Sequence, residues 1–160
     1  MTLNETLLRK LSEWRPAGSG RHILATTHEA SGWNASVSSE RCDSMGCLVW
    51  EFAVNRKSAA TGSTLSGWAE RAAQRVTSLA DPLKVVEIDE GRGEAILRSE
   101  QPSQRGDRVL YYELHLRGTT SATVHRYQAK HAPGTHREQI AFALTHEALA
   151  KLAGDLTAEK

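Results

Sequence analysis

The chain has 160 residues, of which 39% are apolar and 24% charged, with a formal net charge of +1 at pH 7. That length suits one domain whose core needs neither disulfide nor metal, and the composition excludes a disordered or low-complexity chain. Near-neutral charge excludes a strong overall field for nucleic acid or anionic lipid, and no apolar run approaches the ~20 residues a membrane-spanning helix requires.

Thr2 and Glu5 form a T-x-x-E capping box, and Leu3, Leu7, Leu8, Leu11 and Trp14 then fall on one helical face until Pro16 and Gly18 end the run. The start therefore reads as a capped helix and not as a secretory leader, so a cytoplasmic protein is the expectation. Three strand-like runs follow, RHILATTHE, WNASVSSERC and CLVWEFAVN, parted by Ala30-Ser31-Gly32 and by a turn from Asp43 to Gly46. Regular alternation in the third puts Leu48, Trp50, Phe52 and Val54 on one face as an aromatic row. Cys42 and Cys47 flank the turn and face each other across it, within reach of a disulfide. The spacing C-x4-C without a second cysteine pair is not a closed zinc site, so the pair is read as reduced and dispensable, with no metal.

Leu65, Trp68, Ala69, Ala72, Val76 and Leu79 recur at close to 3.6 residues, predicting a second helix that Asp81-Pro82 stops and whose Leu65, Trp68, Ala72 and Val76 are buried. Strands LKVVEID and EAILRSE come next, then a long hairpin over 109–128 in which VLYYELHLR and SATVHRYQ meet at Gly118, Thr119 and Thr120. EQIAFAL is expected as one further strand. Thr145 caps a last helix with Leu149, Leu152, Ala153 and Leu156 on one face. Short connections favour antiparallel pairing. The fold class is α+β, a mostly antiparallel sheet with helices packed on it in the order α-β-β-β-α-β-β-β-β-β-α, as a single domain over 1–160.

Candidate chemistry gathers on the hairpin. Arg98 and Arg126 would offer planar donors to a carboxylate or phosphate, between walls of Tyr111, Tyr112 and Tyr127 and beside Glu113. His115 and His125 could do acid-base work if the register sets them on one face. The competing reading is a ladder of opposite charges, Glu87, Arg98, Glu113 and Arg126, that solvates an exposed sheet face. No spacing matches a cofactor loop, a nucleophile elbow or a metal site, so no catalytic residue, cofactor or metal is expected. Trp33, between Gly32 and Asn34 at a strand entrance, is the tryptophan expected at an interface.

In its order of elements the chain resembles the small dimeric chaperones of bacterial type III secretion, although those chains are shorter and acidic. The resemblance implies a non-catalytic protein-binding module that forms a homodimer, without membrane contact, pairing through an open edge such as RHILATTHE or EQIAFAL or through the first helix. One alternative is an anionic-ligand domain or enzyme using the Arg/Tyr/His surface of the hairpin. Another is nucleic-acid binding through the sheet face, which the near-neutral charge disfavours.

Overall fold

The structure, a computed structural model, describes residues 1–132 and 134–158. Helix α1 (Leu3–Glu13) starts at the capping box, where the Thr2 hydroxyl accepts from the Glu5 N–H and the Glu5 carboxylate accepts from the Thr2 N–H. Its Leu3, Leu7 and Leu11 are buried. Strands β1 (His22–His28), β2 (Trp33–Cys42) and β3 (Gly46–Arg56) form a meander, and α2 (Leu65–Arg75) follows from its Thr64 cap. Then come β4 (Leu83–Asp89), β5 (Glu94–Ser99), β6 (Ser103–Arg105), β7 (Arg108–Arg117), β8 (Ser121–Lys130), β9 (Glu138–Ile140), β10 (Phe142–Thr145) and α3 (His146–Thr157). The main path of the sheet is β1-β2-β3-β8-β7-β5-β4, with every pairing antiparallel. No helix among the described residues is long and apolar enough to cross a membrane.

The three helices cover one face of the sheet and close the core over Phe52, Val54, Leu97, Leu114, Leu116 and Val124. Leu65, Trp68, Ala72 and Val76 are buried as their spacing predicts. The helix ends at Arg75, earlier than the apolar period extends, where β-branched Val76 and Thr77 and then Ser78 weaken helix propensity. Val76 and Leu79 still reach the core from the connection.

Strand β3 departs from simple alternation. Ser38 pairs with Glu51 and Ser39 with Val49, leaving Trp50 as the extra residue of a β-bulge. Cys47, Val49, Phe52 and Val54 therefore enter the core, while Trp50 and Glu51 both lie half-buried on the other side. The expected row of Leu48, Trp50, Phe52 and Val54 is broken in its middle. Arg21 stacks on the displaced Trp50 ring, 3.8 Å from its centroid.

EQIAFAL is likewise not one strand. β3 and β8 pair from Phe52↔Val124 to Asn55↔Ser121 and then part. Into this fork runs β9, which pairs with β8 through Arg126↔Ile140 and Gln128↔Glu138. The chain reverses at Ala141, and β10 leaves along β3 through Phe142↔Val49 and Thr145↔Gly46. The segment expected at an open edge thus lines both prongs of a fork inside the sheet. The short β6 is the other addition to the expected order, extending the pairing of β7 by Ser103↔Leu110.

Cys42 and Cys47 are direct cross-strand partners with Cα atoms 4.0 Å apart, and they are joined as a disulfide instead of standing as the reduced pair expected. Trp33 is also corrected: at 3% exposure it packs on Trp68, ring centroids 5.8 Å apart, with Arg56 over its ring. Its place opposite the α2 face makes it core, so it has no surface to offer a partner.

Candidate functional site

The register of β7 and β8 sorts the hairpin residues by parity. Tyr111 faces Tyr127, Glu113 faces His125, and His115 faces Thr123, all on the side without helices, and Arg98 joins them opposite Glu113 from β5. Tyr112 and Arg126 face each other on the opposite side. There Tyr112 is buried edge-on against Phe142 at 5.5 Å, and Arg126 caps its ring at 4.3 Å. The eight candidate residues are therefore divided: six share the helix-free face, and Tyr112 and Arg126 belong to the core side.

Glu113 is the centre of that face. It is 5% exposed, and its carboxylate accepts from Arg98 Nε at 2.9 Å and from Arg137 Nη1 at 2.7 Å. Arg137 also donates to the Tyr111 hydroxyl at 3.3 Å and lies 3.7 Å over the Tyr127 ring. Burial pushes the Glu113 carboxyl up, but the two arginine hydrogen bonds outweigh it and hold the group below its ordinary value. Burial raises the Tyr127 hydroxyl, only partly opposed by the Arg137 charge.

Beside this clamp, His125 Nε2 meets Glu51 Oε2 at 2.7 Å and His125 Nδ1 meets the Tyr127 hydroxyl at 3.5 Å. This bridge sits at the crotch of the fork, one position beyond the last β3–β8 backbone pair. His115 Nε2 lies 3.5 Å from Glu94 Oε1, so each imidazole has its own carboxylate and the two histidines do not form a pair. Glu51, Glu113, His115, His125, Tyr127 and Arg137 line a trough of about 450 Å³.

Charges in the trough largely neutralise one another. Arg98 and Arg137 are engaged by Glu113, and Arg117 approaches Glu94 at 4.0 Å. Arg137 gives both Nη groups to Glu113, whereas Arg98 gives only Nε and keeps 43% of its side-chain surface exposed. Arg137 and Glu51 were not among the sequence candidates. Arg137 lies in a connection before β9 with no strand pattern of its own, and the bulge at Trp50 is what carries Glu51 to the face of His125.

Comparison with protein family models, with curated proteins and with solved structures returned no match for this chain.

Proposed function

We propose that the chain is a non-catalytic, cytoplasmic protein-binding module that self-associates through β1, as its likeness in element order to the dimeric secretion chaperones suggests. The observation that carries this reading is the β1 edge. Among the described residues β1 pairs only with β2, its sequence HILATTH holds no Asp, Glu, Lys, Arg or Pro, and Ile23 is 71% exposed. The opposite edge, β4, is blunted by Lys84, Glu87 and Asp89 and by a register break at Val86, which are the usual defences of an edge strand. The first helix is not free for a partner, since its leucines are spent on α3 and the sheet. Lys10 guards the middle of β1, its ammonium donating to the Ala25 carbonyl at 3.5 Å. Trp50, Tyr111 and Tyr127, stacked with Arg21, Arg98 and Arg137, give the helix-free face the residue types that dominate binding hot spots, and this is where we place the partner protein.

Light scattering on the purified chain is expected to give about twice 17.6 kDa, and Ile23→Lys is expected to return it to the monomer mass with unchanged stability. A clean monomer mass for the parent across a micromolar dilution series overturns the dimer.

A second reading is favoured by the Glu51–His125–Tyr127 chain, a carboxylate, an imidazole and a phenol in contact within a trough. This is the grouping a small polar ligand or an acid-base step would use. Titration of the labelled protein with small carboxylates, phosphates and amines is expected under this reading to shift the His125 and Tyr127 resonances. Signals that stay fixed in all three series leave the trough a solvated face.

A further inference from the structure

The Cys42–Cys47 pair has a third neighbour that no local spacing reveals. His146, the first residue of α3 and 104 positions beyond Cys42, places Nε2 at 3.6 Å from Cys42 Sγ. The three ligand atoms lie within 4.8 Å of one another. A tetrahedral zinc ion with bonds of ~2.3 Å to sulfur and ~2.0 Å to nitrogen separates an N and an S ligand by roughly 3.5 Å, and two S ligands by roughly 3.8 Å. The Cys42–His146 edge already has that spacing.

The surroundings hold the three residues in place. β10 carries Leu144 opposite Cys47 and Thr145 opposite Gly46. A Cβ at Gly46 would meet the Leu144 carbonyl oxygen at 2.5 Å, so only glycine permits this approach. Thr145 then caps α3 by accepting from the Ala148 N–H, which fixes where His146 begins. On the other side Asp43 ties the turn by accepting from the N–H groups of Met45 and Gly46. Cys47 and His146 are buried, Cys42 packs half-buried against the core, and a concavity of about 540 Å³ opens beside them between Met45, Leu48 and Ala143. Two thiolates and a neutral imidazole would cancel the charge of a divalent cation, which removes most of the cost of burying it.

We propose that in the dithiol state Cys42, Cys47 and His146 bind one thiophilic divalent cation, Zn²⁺, leaving its fourth position open to that concavity. A dithiol reductant delivers two electrons and two protons to the disulfide and is itself oxidised to a disulfide. Zinc then displaces the two thiol protons and is held by both sulfurs and His146 Nε2. The disulfide and the metal exclude each other, so occupancy follows the thiol redox state.

The test uses the full chain, reduced by a phosphine that does not compete for metal, stripped with chelator and titrated with Co²⁺ and then Zn²⁺. One equivalent of cobalt should bind with the intense absorption of a tetrahedral thiolate complex, and zinc should bleach it. The oxidised chain should bind none, Cys42→Ser/Cys47→Ser should bind none, and His146→Gln should lose at least ~100-fold in zinc affinity, the upper end of what loss of a mere supporting partner costs. X-ray absorption of the zinc-loaded parent should show two sulfur ligands and at least one imidazole nitrogen, which identifies the donors even if a variant misfolds. No uptake by the reduced parent, equal uptake by the oxidised chain, or a zinc spectrum without the imidazole overturns the site.

Discussion

Trp68→Ala is expected to destabilise the chain by about 3–5 kcal/mol, the cost of emptying a large aromatic site in a core that cannot collapse around it. The side chain is 4% exposed, stacks on Trp33 and donates from Nε1 to the Leu156 carbonyl at 2.9 Å. Alanine therefore removes volume where α2, α3 and β2 meet and strips a carbonyl in the last turn of α3 of its donor. Trp68→Phe separates the two effects, since it keeps much of the volume and loses the hydrogen bond, worth roughly 1–3 kcal/mol when the carbonyl stays buried. Denaturant unfolding with an unchanged slope reads both differences. A loss below ~1 kcal/mol for the alanine variant would contradict the placement of α2.

Glu113→Ala is expected to cost about 2–3 kcal/mol. Removing one partner of a fully buried ion pair costs about 3–5 kcal/mol, but Arg98 and Arg137 keep 43% and 39% of their side-chain surface exposed and water recovers part of the loss. The pH dependence has a definite sign. The folded carboxyl is held below its ordinary value of 4.5, so its contribution is fully present above that value and is lost as the pH falls through the folded pKa. The parent should lose stability progressively below about pH 4.5 relative to Glu113→Gln, whose amide does not titrate. Melting curves for the two proteins that fall in parallel through the acid range would dissociate Glu113 from the clamp.

The helices and four of the hairpins were legible in the residues because each announces itself locally. Thr2 and Thr145 cap runs with a clear helical period, Leu65 to Val76 keep that period without a cap being read, and the β1–β2, β2–β3, β4–β5 and β7–β8 turns separate runs of strand length. What escaped was set by parity or by distance along the chain. Tyr111 and Tyr112 are equivalent as sequence, and only the pairing with Tyr127 and Arg126 decides which of them enters the core. A single extra residue at Trp50 reverses the inside and outside of half of β3, a change that alternation cannot register. Arg137 reaches Glu113 from a connection with no periodic pattern, and His146 reaches Cys42 across 104 positions. The first is set by the pairing of β9 with β8, and the second by the reversal at Ala141 that sends β10 along β3.

The fork also bears on the order in which the chain can fold. The β2–β3, β4–β5 and β7–β8 hairpins can close from neighbouring residues within microseconds, but the inner edges of Val49 and Arg126 stay unpaired until Phe142 and Ile140 arrive. Phe142 is 93 positions from Val49, and α3, which roofs α1, comes later still. Loop closure over such separations slows folding and leaves strand edges open for longer. A chain halted in synthesis before Glu138 would therefore hold its hairpins and none of its seal, exposing the inner edges of both prongs to any passing strand.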